Sequence, residues 1–220
     1  MKNIIQYFNT LRNSTFPKEI EKQVIEKISN LDKNGRSQLR HHLFSEANKP
    51  INVETHQALQ WLQFCFETID KYSFRFHKVY FSPGPAIKSN ITNLLAHAKK
   101  SVDICVFTIT DDELGGQIIK CHQRGVKVRI ITDDEKTIAK GSEIFKLENL
   151  GIPIKIDHSH YHMHNKVGII DNRIAITGSF NWTYTATKHN QENLLATSNY
   201  SIVNQYNEEF ERLWQEMYKL

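Results

Sequence analysis

Between His164 and Asn181 the chain reads HNKVGIIDNRIAITGSFN, and no other stretch constrains the fold as tightly. Polar and apolar residues alternate into an aliphatic run that stops at Asp171-Asn172-Arg173 and then resumes. The pattern predicts a strand carrying His164 and Lys166, a tight turn, and a returning strand over Ala175–Phe180. Residues two apart on a strand face the same way, so His164 and Lys166 are expected to point into one pocket. The returning strand would bring Ser179 and Asn181 alongside, so that four polar groups converge on one anion.

Each of these residue types answers a need of phosphodiester cleavage. The anionic oxygens of a phosphodiester repel a nucleophile, and a cation such as Lys166 offsets that charge, most strongly as it builds in the transition state. Ser179 and Asn181 can donate neutral hydrogen bonds to the same oxygens. A neutral imidazole, with an ordinary pKa of about 6.5, is a competent nucleophile at pH 7. It can form a phosphohistidine that water later hydrolyses, without a metal or any other cofactor. The leaving oxygen still requires a proton donor.

His164-x-Lys166-x4-Asp171, followed by Gly178-Ser179-x-Asn181, resembles the HKD motif of the phospholipase D superfamily. The likeness extends to TGSFNWT and to the downstream acidic element Asn190-Gln191-Glu192-Asn193. Upstream, the stretch from Val79 through VDICVF and VKVRIITDD is similar to the opening strands and helices of that family, so the resemblance covers about residues 79–220. It implies an α/β fold, a phospholipase D-like mixed sheet flanked by helices. It also implies that Glu192 hydrogen-bonds a histidine and fixes its tautomer. His164, Lys166, Glu192 and Asp171 are then the candidate catalytic residues, with Asp171 more structural than the rest, and Lys166, Ser179 and Asn181 the phosphate-binding ones.

Members of the superfamily usually carry two copies of the motif in one site, and this sequence has one. His122, the other candidate, lacks the Lys two residues on and the following Gly-Ser-x-Asn. A complete site therefore calls for a twofold homodimer, in which one His164 attacks while its mate protonates the leaving group.

The alternation His158-x-His160-x-His162-x-His164 also allows a metal reading, since alternate strand residues could supply several imidazoles to one ion. Asp157 and Ser159 favour a loop that scatters these side chains, and phosphohistidine chemistry needs no metal, so no metal site is expected. The extra histidines are expected to contact phosphate or to raise the positive potential in acid.

The remainder of residues 77–220 reads as an alternation of elements. Val102–Phe107 and Val126–Ile131 are predicted to be buried strands, with helices over Asp112–Arg124 and Glu135–Asn149. Ile152–Asp157 and Asn193–Thr197 add strands, and Ser201–Tyr218 a closing amphipathic helix. Residues 1–76 differ in character and predict an all-α appendage. One helix begins at Phe16-Pro17 and carries Ile20, Val24, Ile25 and Ile28 until Asn34-Gly35 breaks it; a second covers Ser37–Ala47. A third apolar segment runs from Asn52 to Tyr72, and this domain or cap could bind a protein partner or recognise substrate.

At 220 residues and 40% hydrophobic the chain can bury a substantial core. The opening apolar run is too short for a signal peptide and no segment approaches the roughly 20 apolar residues of a membrane span, so cytoplasmic residence is expected. Cys65, Cys105 and Cys121 lack a C-x-x-C pair and suggest buried, reduced thiols. Residues 1–76 hold 11 Lys and Arg against 8 Asp and Glu, and residues 77–220 hold 17 against 16. Nucleic acid would therefore be gripped by a local groove, not by a broadly basic surface. The leading expectation is a metal-independent, homodimeric endonuclease acting on DNA or RNA. A phospholipase D or cardiolipin hydrolase acting on lipid phosphodiesters is the alternative, and a catalytically silent scaffold the third.

Overall fold

The computed structural model describes residues 4–6, 8, 18–47, 61–69 and 76–220. The chain divides into two compact units, Met1–Arg75 and Phe76–Leu220.

In the first unit the described residues with regular structure are helical. Helix α1 (Lys18–Ser29) and α2 (Lys33–Ala47) are separated by Asn30–Asp32. The break therefore falls before Asn34-Gly35, which lie in the first turn of α2. The physical reason is Asp32, whose carboxylate accepts from Gly35 N at 2.7 Å and so caps the new helix. Val24 and Ile28 of α1, Leu39 and Leu43 of α2, and Trp61, Cys65 and Ile69 of a helical stretch over 61–69 share one core with Ile4 and Phe8. The Trp61 indole donates to Phe8 O at 2.7 Å, which satisfies its one polar group inside that core. The expected helix start at Phe16-Pro17 and residues 52–60 and 70–72 of the third apolar segment lie outside the described residues.

The second unit is built on one mixed sheet. Its strands are β1 (His77–Phe81), β2 (Ser101–Val106), β3 (Lys127–Thr132), β4 (Ile154–Ile156), β5 (Lys166–Ile170), β6 (Ile174–Gly178), β7 (Asn193–Thr197) and β8 (Tyr218–Lys219), in the spatial order β1-β7-β6-β5-β2-β3-β4-β8. β2, β3 and β4 are mutually parallel and the other pairings antiparallel. Parallel neighbours need crossovers. Helix α4 (Asp112–Gln123) links β2 to β3, and two short helices, α5 (Asp134–Thr137) and α6 (Ile144–Asn149), link β3 to β4. The single helix expected over Glu135–Asn149 is thus split, and Gly141 at φ +80° marks a backbone turn that a helix cannot contain.

Strand periodicity sorts the core into two layers. Val102, Ile104 and Val106 of β2 face α4, α6 and helix α3 (Ala86–His97), while Cys105 faces helix α8 (Tyr200–Glu216) on the other side. Arg129 fastens α8 to the sheet: it pairs with Asp103 at 2.7 Å and Glu211 at 2.6 Å, and lies over the Phe210 and Trp214 rings. Cys65, Cys105 and Cys121 are buried free thiols, and burial pushes Cys65 and Cys105 up to about 12, which leaves them unreactive at neutral pH.

Candidate active site

The register of the sheet brings several chain segments to one edge. β2 and β3 are parallel, so their C-terminal ends, Phe107 and Asp133, emerge together. β5 is antiparallel to β2 with Lys166 opposite Val106, and Thr177 of β6 lies opposite Val167. Gly178 of β6 pairs with Leu194, and Phe81 of β1 with Asn193. The starts of β5 and β7 therefore meet the ends of β1, β2, β3, β4 and β6. Backbone groups released where strands end are available to ligands, which makes this edge the natural place for a site.

His164 lies two residues before β5, not on it, because its segment has already left the ladder; the expectation of a shared strand face for His164 and Lys166 is corrected accordingly. The two nonetheless converge on one group, the half-buried ring of Phe107. The His164 ring stands 4.8 Å from its centroid and Lys166 Nζ 5.3 Å from it, and Lys166 Nζ donates to His164 O at 2.8 Å. Desolvation holds the His164 pKa below the usual imidazole value; the nearby Lys166 and His162 act in the same direction, and Asp133 opposes them. Desolvation also lowers Lys166, against the pull of Glu192. The result is an exposed imidazole biased toward its neutral form beside a cation.

Ser179 follows β6 directly. Its backbone N–H donates to Asn193 O at 3.2 Å, and its Oγ accepts from Asn193 N at 3.1 Å and Asn193 Nδ2 at 3.4 Å. Because those bonds use only the lone pairs, the hydroxyl hydrogen remains available to a ligand. Gly178 makes this approach possible, since a Cβ there would fall 2.1 Å from Asn193 O. Asn181 Oδ1 is buried with no hydrogen-bond partner among the described residues. Glu192 accepts from Asn190 Nδ2 at 2.9 Å and from no histidine among the described residues, so within one chain it orders its own loop and acts electrostatically on Lys166.

Asp171 is at the far end of β5. With Asn172 it forms the hairpin turn, at φ 54° and 52°, the left-handed conformations that Asp and Asn tolerate. Its carboxylate accepts from the backbone N–H groups of Lys99, Lys100 and Ser101 at 2.6–3.1 Å. The structure thus brings His164, Lys166, Ser179 and Glu192 to one edge and leaves Asp171 five residues of strand away.

The sequence did not flag Phe107 or Asp133 as site residues. Phe107 also receives Lys136 Nζ at 5.0 Å and the His162 ring at 5.3 Å. Both Phe107 and Asp133 immediately follow a parallel strand, and that position was the available signal.

Residues 91–214, more than half of the chain, match the family described as cardiolipin synthase, PLD-like domain. The chain belongs to the phospholipase D-like family. It is 43% identical over 128 residues to the mitochondrial cardiolipin hydrolase of Xenopus tropicalis, covering 58% of this chain and 61% of that protein. To the mitochondrial cardiolipin hydrolase of Homo sapiens it is 39% identical over 133 residues, covering 60% and 53%. The chain therefore spans about three-fifths of the first of these relatives and about half of the second. The structure of a phospholipase D family member, Nuc from Salmonella typhimurium, superposes with a TM-score of 0.63 at 26% identity and covers 67% of this chain and 99% of that one. The family likeness falls on Phe76–Leu220, the unit that holds the HKD motif.

Proposed function

We propose that this chain is a phosphodiesterase that works in two steps through His164, and that its substrate is nucleic acid. The observation that carries the chemistry is the pairing of His164 and Lys166 on the Phe107 ring, where a neutral imidazole and an ammonium share one open edge. In the first step His164 attacks phosphorus, Lys166 and the Ser179 hydroxyl stabilise the anionic oxygens, and the ester oxygen leaves with a proton. In the second, water attacks the phosphohistidine and frees the imidazole. The proton donor is the His164 of a second copy of the chain, so the working unit is a homodimer whose cleft takes the same edge from both protomers. Glu192 tunes Lys166, and Asn181 offers its amide to the phosphate.

Exposed aromatic and basic groups around that edge support a nucleic-acid substrate. Tyr161, 84% exposed, stands on the segment leading to His164, and Tyr184, 59% exposed, begins the short helix α7 (Tyr184–Lys188) after Asn181. Aromatic faces that stack bases beside cations that hold phosphates are the usual means of gripping single strands. The names of the mitochondrial relatives favour a second reading, a cardiolipin-like lipid phosphodiester handled by the same residues. No helix among the described residues is long and apolar enough to cross a membrane.

Purified protein incubated with labelled single-stranded DNA, labelled RNA and cardiolipin vesicles, each with and without EDTA, separates these readings. Cleavage of DNA or RNA that persists in EDTA is expected. Release of phosphatidic acid with intact nucleic acids would move the substrate to lipid, and complete EDTA sensitivity restored by a divalent ion would replace the histidine nucleophile with metal-activated water.

A further inference from the structure

Next to His164 on the same sheet edge, beyond Phe107, lies a cluster that the phosphodiesterase chemistry leaves unused. Asp133, immediately after β3, is fully buried; one carboxylate oxygen, Oδ2, meets His162 Nδ1 at 3.0 Å, while the other, Oδ1, is buried and has no hydrogen-bond partner among the described residues. A carboxylate taken out of water with half its acceptor capacity unmatched is a costly arrangement that calls for a cation. No hydrogen bond from Asp133 caps α5, so the helix does not supply that compensation.

The neighbours add to the demand. Donor atoms of Asp133, Glu135 and His162 lie within 4.8 Å of one another, and those of Asp133, Asp134 and Asp157 do so as well. Asp157 is buried, and its Oδ1 accepts from the Asp134 N–H at 3.1 Å. His158 approaches Asp134 at 3.6 Å. Three carboxylates thus crowd one point, two of them buried, with an imidazole at its rim.

We propose that Asp133, Glu135 and His162 bind one divalent cation of the zinc type. An imidazole nitrogen with two carboxylate oxygens is the mixed set that borderline ions of this type accept, whereas magnesium and calcium prefer oxygen alone. Two ligand atoms each about 2.0–2.1 Å from a tetrahedral zinc stand about 3.3 Å apart, close to the His162–Asp133 separation. Asp133 is fixed by burial, and Glu135 and His162 are exposed side chains that can close on an ion from the solvent side. Three protein ligands leave one coordination position for water. The ion would tie the end of β3 to the segment 158–164 and so hold in place the loop that delivers His164. The site uses none of the four groups assigned to phosphate, and binding does not depend on the cleavage reaction.

The test is zinc binding by the full chain, read by isothermal titration and by competition with a chromophoric chelator, with magnesium and calcium as comparison ions. One equivalent of zinc per chain is expected. Affinity should fall about tenfold or more in His162→Ala, Glu135→Ala and Asp133→Asn, stay unchanged in His164→Ala and in the His158→Ala/His160→Ala pair, and be far weaker for magnesium and calcium. Far-ultraviolet circular dichroism checks folding, and if buried Asp133→Asn fails it, the exposed His162 and Glu135 variants carry the test alone. Absence of saturable binding, binding indifferent to His162→Ala, or binding lost with His158 and His160 instead would overturn the site.

Discussion

The two ends of strand β5 hold residues of one sequence motif in opposite physical conditions. At its start, His164 and Lys166 sit on an open edge, with the Lys166 ammonium bonded only to His164 O among the described residues and the imidazole exposed. At its end, the carboxylate of Asp171 is consumed by the N–H groups of Lys99, Lys100 and Ser101. Spacing in a motif can therefore record two separate requirements, one for chemistry and one for closing a hairpin onto the chain entering β2. Groups left short of partners are the ones available to a substrate, and groups fully bonded within the fold are not.

Substitutions at the two ends should diverge most sharply in activity. His164→Ala removes the proposed nucleophile and, in the proposed dimer, the acid, and a loss of at least about a thousandfold in kcat/KM is expected with folding intact. Lys166→Ala should cost about a hundredfold through lost stabilisation of the phosphorus oxygens. Steady-state kinetics on soluble, folded variants checks both, and near-normal activity in His164→Ala would transfer attention to His162.

A smaller effect sharpens the comparison through pH. The lowered His164 pKa means that its neutral, nucleophilic form persists below the ordinary imidazole range, so the acidic limb of kcat/KM should lie below about pH 6.5. Lys166→Ala removes one of the causes and should move that limb upward in whatever activity remains. A limb at or above the ordinary value in the wild type would show that the loop does not hold His164 as described.

At the far end, Asp171→Ala should leave activity per folded molecule within about threefold of wild type while lowering unfolding stability by about 2 kcal/mol, the range for charge-assisted hydrogen bonds. Urea melts alongside kinetics separate the two quantities. A large loss of activity at unchanged stability would break the contrast between the ends of β5.

Much of the α/β unit was legible in the sequence because its strands are long aliphatic runs and its turns carry Asn, Asp and Gly. Val102–Phe107, the 171–173 turn and Asn193–Thr197 are read directly from that pattern and recur in the sheet. The two-residue strand β8 was not legible, since Tyr218-Lys219 pairs with β4 only because α8 ends beside it. Nor was the break at Asn30–Asp32, where an Asp cap outweighed the stronger apparent signal of Asn34-Gly35. In the site, His164, Lys166 and Ser179 were readable from their spacing along one hairpin. Phe107 and Asp133 come from strands far away in sequence, and only the parallel pairing of β2 with β3 sets them beside His164.

Whether His164 attacks phosphorus itself is decided most directly by the stereochemical course of cleavage. A single-isomer phosphorothioate diester is turned over in oxygen-18 water, and the configuration of the product is read by phosphorus NMR after stereospecific derivatisation. Two in-line displacements, first by the imidazole and then by water, invert the centre twice and give net retention. Net inversion would mean a single direct attack by water and would contradict a phosphohistidine at His164.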